Sequence, residues 1–290
     1  MTLDRRLLSA CLELAPAQPA TALWRAVEVG HLVRQDVLPR SGAGLDLGCG
    51  DGRVTRLVRD ELGARWTLTG LDPDELELEL ATSAGIYDVL LRADGGDVEA
   101  PDESFDFVFS NSVLEHVDEL EPLLAEVGRV LRRGGRFVFT VPSTRFHENL
   151  GGPGALGRLA TGTSDPEAYH QALDTRLAHL RYLSGEEWRA RLASVGLDVV
   201  HESTYLGPEE TQRWAAVSNA TAGVLVRLRG GRPIDVQRSL GVRGHRPPFW
   251  IRTMGAAIGS VAAVRLRDDD GAVGSCLLLV AEKPAAREPA

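Results

Sequence analysis

Lysine is almost absent from this chain: Lys283 is the only one, so nearly all positive charge is carried by arginine. The plainest reading of that bias is a GC-rich coding sequence. Cysteine is scarce too. Cys11, Cys49 and Cys276 are odd in number and far apart. They exclude a disulfide framework and a cysteine-based metal site, and they fit a reducing compartment. No long apolar run occurs. The longest, Met254 to Val264, falls well short of the roughly 20 residues a membrane-spanning helix needs. Positive charge is not in excess either. A net charge of −9 argues against nucleic acid or an anionic membrane as a partner of the whole chain. Met1 to Leu14 carries Asp4, Arg5, Arg6 and Glu13 and reads as neither signal peptide nor anchor, so a cytoplasmic location is expected. No internal repeat is found.

Against these absences stand 290 residues, 43% of them hydrophobic. That length and composition suit one globular domain with a real core and sizeable insertions. Apolar spacing predicts helices over 3–14 and 21–38, then a strand over Gly44–Gly48 and a helix over Arg53–Leu62. The alternation continues with strands at 66–71, 88–92, 105–110, 136–141, 197–203 and 275–282. Helices fall at 74–84, 120–131 (closed by Gly134-Gly135) and 185–194. Such alternation implies a doubly wound, mostly parallel α/β sheet. No regular helix links the last two strands, so one antiparallel edge strand is expected. Residues 1–40 read as an N-terminal helical segment. Residues 143–183 and 206–272 read as insertions, the second largely helical over Thr211–Leu228 and Trp250–Arg265.

The sharpest signal is Leu45-Asp46-Leu47-Gly48-Cys49-Gly50-Asp51-Gly52, directly after a strand and before a helix. Glycines there allow a tight turn and a close backbone approach to a ligand. A dinucleotide fingerprint needs its third glycine at 53, where Arg53 stands, and no Lys-Ser/Thr pair follows, so the loop is neither that fingerprint nor a P-loop. An acid some 20 residues on, at Leu71-Asp72-Pro73, can accept hydrogen bonds from ribose hydroxyls.

Residues 46–52 resemble the first motif, D-x-G-x-G-x-G, of the class I S-adenosylmethionine-dependent methyltransferases. Pro101-Asp-Glu-Ser-Phe-Asp106 through Glu115-His116-Val117 resembles the fourth-strand signature of its small-molecule, ubiquinone-type branch. Leu131-Arg-Arg-Gly134-Gly135 is similar to the family's turn into the fifth strand. The likeness covers residues 41–142 densely and resumes at 179–200 and at the final strand. It implies a seven-stranded Rossmann-like fold and S-adenosylmethionine as cofactor. Implied cofactor residues are Asp46, Gly48, Cys49, Gly50 and Gly52, with Asp46 near the methionine part. Asp72 and Pro73 fall at the ribose, Asp94 and Gly95 at the adenine with Asp97 a rival, and Ser110 and Asn111 at the fourth-strand exit.

Methyl transfer from a sulfonium needs alignment and often a general base. His116, His147 and His179 are the candidate catalytic groups. Relatives that bind a metal here use Glu-x-x-Glu-His, and Ser112 replaces the first Glu, so no metal is expected. Each histidine can equally be a packed or surface group. Over residues 209–267, ten arginines face only Glu209, Glu210 and Asp235, with Trp214, Phe249 and Trp250 interleaved. That stretch reads either as a solvated cap or as a face for an anionic acceptor, a carrier protein or a membrane surface. The expected activity is methyl transfer to a small molecule, oxygen favoured, with a sugar, lipid or natural-product acceptor and 143–183 as a lid. Three alternatives stay open: an RNA or protein methyltransferase, a non-catalytic cofactor-binding module, and other chemistry on the same fold.

Overall fold

The computed structural model describes residues 4–15, 18–230 and 273–285, together with Thr253 and Ala257. It divides into two compact units. In chain order the elements begin α1 (Arg5–Leu14), α2 (Pro19–Gln35), β1 (Ser41–Leu47), α3 (Arg53–Leu62), β2 (Arg65–Leu71), α4 (Glu75–Ala84) and β3 (Val89–Leu91). Next come β4 (Phe105–Asn111), a 3₁₀ turn Leu114–His116, α5 (Leu120–Val130) and β5 (Leu131–Pro142). Then follow α6 (Arg145–Leu150), α7 (Gly154–Thr161), α8 (Pro166–Leu177), α9 (Gly185–Ser194) and β6 (Asp198–Tyr205). α10 (Pro208–Ser218), a π-helical turn Asn219–Gly223, α11 (Val224–Arg229) and β7 (Cys276–Glu282) complete the described chain. Of the helix expected over 250–265, only Thr253 and Ala257, both helical, are among the described residues.

The first unit described is Leu32–Ser143, Arg181–Thr204 and Cys276–Ala290, and it holds the sheet. Its strand order is β3-β2-β1-β4-β5-β7-β6. β1 pairs in parallel with β2 and β4, β2 with β3, and β4 with β5, while β7 runs antiparallel to β5. The antiparallel strand expected at the edge is therefore β7, with β6 beyond it. Central parallel strands are covered on both faces, so they read as apolar runs. Phe107, Val108 and Phe109 of β4 are all buried. Phe137 and Phe139 stack at 4.6 Å, and Trp188 of α9 meets Phe139 edge-on at 5.0 Å. Ser184 caps α9 and Glu187 returns the bond, its carboxylate accepting the Ser184 N–H at 2.8 Å.

Asp106 has a structural task within this unit. Its carboxylate accepts the Ala43 N–H at 2.7 Å and pairs with Arg132. The bond from Ala43, then Arg132, holds it below the usual carboxylate range. It thereby fixes the start of β1 against β4.

One boundary is corrected. β5 starts at Leu131, not at Arg136, and Gly134-Gly135 lies inside the strand rather than closing α5. Leu131 leaves the helix in an extended conformation and pairs with Phe105. The register then shifts before Phe107. Gly134 takes φ +77° there and donates its N–H to Lys283 O at 2.7 Å, while Lys283 returns a bond to Gly135 O. The glycines serve a strand irregularity at the end of β7.

The second unit, Met1–His31, Thr144–Leu180 and Tyr205–Ser275, is helical. Three stretches that look separate in sequence build one core in it. Trp24 of α2, Phe146 of α6 and Trp214 of α10 meet at centroid distances of 5.1 to 5.9 Å. Glu28 is fully buried. It takes an ion pair from Arg25 at 2.5 Å and a hydrogen bond from Tyr205 Oη at 2.8 Å. A buried charge must be paired in this way to be tolerated.

Candidate active site

In the sheet unit the chain turns outward in opposite directions after β1 and β4. The crevice outside the carboxyl ends of these strands is where open α/β sheets bind ligands. The glycine loop Gly48–Gly52 lies there. Gly48 and Cys49 both donate their N–H groups to Leu71 O, at 2.8 and 2.9 Å, which anchors the loop to the end of β2.

The three glycines do different things. Gly48, Gly50 and Gly52 all have positive φ, at 75°, 51° and 73°, a region strained for other residues. A Cβ at Gly48 would stand 2.5 Å from Val113, and one at Gly52 would stand 2.6 Å from the Tyr87 ring. Those two glycines are needed by protein neighbours. A Cβ at Gly50 meets nothing closer than Glu77 Oε2 at 3.9 Å, so this glycine presents its backbone to open space. The space expected for a cofactor is thus present at one of the three.

Asp72 follows β2. Its Oδ2 accepts the Gly50 N–H and its Oδ1 the Asp74 N–H, both at 2.9 Å. An ionised carboxylate has about four acceptor positions, and two of them serve these backbone N–H groups. Asp74 is the cap of α4, accepting from Leu76 N. Pro73 is exposed, its carbonyl facing Arg92 Nε at 3.4 Å.

Asp46 sits beneath the loop at 2% exposure. Tyr87 Oη donates to it at 2.5 Å, and the Thr55 hydroxyl bonds to it as well. Burial pushes its pKa up to about 6, against the opposing bonds from Thr55 and Tyr87 and with help from the Asp72 charge. Tyr87 is itself pushed well above its ordinary value by burial and by Asp46, so it remains a donor. The Cys49 thiol is driven up by burial, then by Asp46 and Asp72, and is no nucleophile at neutral pH.

Tyr87 and Thr55 carry no motif and were not legible as site residues. The available signal was Gly70 in mid-strand, which often marks a close approach. A Cβ there would come within 2.9 Å of the Tyr87 ring.

The remaining expected residues are placed as follows. Ser110 is buried and donates to Leu47 O at 3.0 Å, tying β4 to β1. Asn111 donates to Thr140 Oγ1 at 2.8 Å. Asp94 is exposed and accepts from Gly96 N at 3.0 Å. Gly95 is buried at φ +90° with Leu123 and Leu47 where a Cβ would point. Asp97 is exposed.

His116 belongs to the sheet unit, in the 3₁₀ turn that follows Val113, with Nε2 3.9 Å from Glu115 Oε1. Arg181 clamps that turn by donating to Leu114 O and Asp118 O. His147 and His179 belong to the helical unit, where both flank Phe146, at 6.0 and 5.9 Å. His147 Nε2 bonds Asp174 Oδ1 at 2.9 Å, and its ring stacks on His170 at 4.6 Å.

The open face at Gly50 and the Asp72 carboxylate bonded to it fit a nucleoside cofactor without phosphates. When bound, S-adenosylmethionine supplies an electrophilic methyl group on a sulfonium. The residues that would face it are those of the Gly48–Gly52 loop together with Asp72.

Comparison with known proteins agrees. Residues 45–139 match the family described as a methyltransferase domain. A malonyl-[acyl-carrier protein] O-methyltransferase of Yersinia pestis is 26% identical over 256 residues, covering 83% of this chain and 92% of that protein. A demethylmenaquinone methyltransferase of Tropheryma whipplei is 32% identical over 135 residues, 43% of this chain and 54% of that protein. Among solved structures, a chain from the Haloferax volcanii complex of the Trm112 activator with a methyltransferase superposes with a TM-score of 0.54. It is 18% identical and covers 92% of this chain and 91% of its own, a likeness of fold. Residues 45–139 therefore carry a methyltransferase domain, and the chain as a whole is similar to S-adenosylmethionine-dependent methyltransferases that act on small molecules.

Proposed function

We propose that this enzyme methylates an oxygen of its acceptor, and that the oxygen belongs to the free carboxylate of an acyl chain carried as a thioester. Sugar, lipid and natural-product hydroxyls come second. The supporting observation is the reach of the likeness to the Yersinia pestis protein, whose 256 aligned residues extend well beyond the sheet unit. An acyl carrier is acidic, and the arginine-rich stretch 209–267 suits such a partner. Arg213, Arg227 and Arg229 of that stretch are described, whereas Arg232, Arg238, Arg243, Arg246, Arg252, Arg265 and Arg267, with Phe249 and Trp250, lie outside the described residues.

The chemistry follows from the acceptor. A carboxylate with a pKa of about 4 is already ionised at neutral pH, so the enzyme has to align it and remove its water. In this reading His116, His147 and His179 orient the acceptor, and residues 143–183 act as a lid. A hydroxyl acceptor would instead need one of these histidines as a base, a contribution of roughly 10²- to 10⁴-fold. This reading includes a cytoplasmic location; Cys11, Cys49 and Cys276 are free and buried. Among the described residues no helix is long and apolar enough to cross a membrane.

The test is incubation of the enzyme with S-adenosylmethionine and a malonyl thioester, with methyl-ester formation followed by mass spectrometry. A base-labile methyl ester is expected, with a rate that shows no acid limb near the histidine range. Methylation confined to hydroxyl acceptors sinks the carboxyl reading. Tight cofactor binding without turnover on any acceptor favours a non-catalytic module.

A further inference from the structure

The helical unit holds an arginine whose described neighbours leave it without a counter-charge. Arg176 lies in the last turn of α8 and is half-buried. A guanidinium carries five N–H donors and no acceptor. Nη2 donates to Ser218 Oγ and to Asn219 Oδ1, each at 3.0 Å. Nε is buried and meets no acceptor among the described residues. Two of the five donors are thus engaged, both by neutral groups, and Nε and Nη1 retain the other three. Burial holds the pKa below its ordinary value, against an opposing contribution from Tyr169. A guanidinium withdrawn from water with no opposite charge is a costly arrangement.

The surroundings are built around it. Asn219 is 2% exposed and Ser218 3%. Asn219 Nδ2 donates to Tyr169 Oη at 2.8 Å, so the amide is held at both ends with its carbonyl toward Arg176. Two glycines make the room. A Cβ at Gly223 would overlap Nη1, and one at Gly157 would stand 3.0 Å from the Tyr169 ring. Asn219 and Gly223 are the two ends of the π-helical turn between α10 and α11. Such widened turns concentrate at functional sites.

We propose that Arg176, Ser218 and Asn219 form a carboxylate-binding site. The serine and the asparagine aim the guanidinium, and the ligand supplies the missing negative charge. A planar carboxylate matches the planar array of guanidinium donors with its two oxygens, whereas a tetrahedral phosphate brings further oxygens for which Ser218 and Asn219, already accepting from Arg176, leave no matching charge. Two sources share this chemistry: the carboxylate of the acceptor, and a separate small acid. The site stands on its own residues, apart from the acceptor named above.

The test is calorimetric titration of the full chain with malonate, and separately with inorganic phosphate, without cofactor. Saturable malonate binding is expected, tighter than that of phosphate. Arg176→Gln should weaken it roughly 10- to 100-fold, the range for hydrogen bonds to a charged group. Gly223→Ala, which fills the space at Nη1, should do likewise. Arg136→Gln, which alters an arginine paired with Glu282 in the sheet unit, should leave malonate binding unchanged. Arg176→Gln should melt no lower than the wild type, because it removes a part-buried charge that no described residue offsets.

Competition between malonate and the acceptor, with a raised acceptor KM in Arg176→Gln and an unchanged cofactor KM, identifies the acceptor's carboxylate. Malonate binding without competition identifies a separate acid. No saturable binding to the wild type, equal binding by Arg176→Gln, or a preference for phosphate overturns the proposal. Transfer confined to hydroxyl acceptors, with malonate still bound through Arg176, would discard the carboxyl reading of the activity and leave this site in place.

Discussion

The sheet unit and the helical unit stabilise buried charge in different ways. In the sheet unit Asp72 is held by backbone N–H groups of Gly50 and Asp74, and the nearby Asp46 by two hydroxyls. Asp72 depends on the path of the chain through a tight turn. In the helical unit Glu28 is held by Arg25 and Tyr205, and Arg176 by Ser218 and Asn219. Those are side chains gathered from separate stretches. Chemistry written into a turn leaves a local motif, whereas chemistry assembled from packed helices leaves none. The first kind should fail when one turn residue is changed, and the second when the packing is.

The largest effect is expected from Trp214→Ala, which empties the aromatic core of the helical unit. It should cost about 3–5 kcal/mol, read as a lower denaturation midpoint. Cofactor affinity measured by calorimetry below that midpoint should stay within twofold. A large loss of affinity would break the comparison.

Asp72→Ala should do the reverse. Loss of charge-assisted bonds worth roughly 1.5–3 kcal/mol each should weaken cofactor binding at least tenfold. The melting of the helical unit, followed by its tryptophan fluorescence, should barely move.

Asp46 gives a pH-dependent effect. Its pKa of about 6 stands above the ordinary 3.8, so the folded state favours the protonated form. Its stabilising contribution is present below about pH 4 and is lost as pH rises through 6. The shift corresponds to about 3 kcal/mol, at 1.36 kcal/mol per pH unit. Asp46→Asn should remove that decline, read as a flatter stability difference between pH 4 and pH 7. A cationic cofactor favours the ionised form, so wild-type affinity should rise over the same window and that of the variant should not.

Ser184→Ala should have the smallest effect. Loss of the cap on α9 should cost about 1 kcal/mol and leave both cofactor and malonate binding unchanged.

The same contrast governs how much could be read in advance. α3 and α9 have the boundaries that periodicity and capping predict, because glycines and Ser184 mark their ends. The mostly parallel sheet follows from the alternation, and the tight turn after β1 from its glycines. The start of β5 was misread because a Gly-Gly pair ordinarily stops a helix, whereas here it serves a strand irregularity against Lys283. Tyr87 and Thr55 were missed because their bonds to Asp46 cross between elements. The helical unit was legible as helices and not as one body, since spacing reveals an apolar face and not its partner. Trp24, Phe146 and Trp214 show the gap: each marks a buried face, and none names the other two.

The π-helical turn at Asn219–Gly223 also fixes an angular phase. In an ordinary helix each residue advances about 100°, and a widened turn accommodates one residue more than the regular winding would. α10 and α11 are therefore offset around their common axis by about that amount. Arg227, which now donates to the carbonyls of Arg158 and Leu159, owes its direction to this offset. Deleting one residue between Thr221 and Gly223 would let the helix close into a regular spiral. It would also rotate every later side chain by about a quarter turn or slightly more, carrying Arg227 off α7 while keeping both flanking helices intact. The phase, more than the composition, of residues 208–229 then sets what this stretch presents.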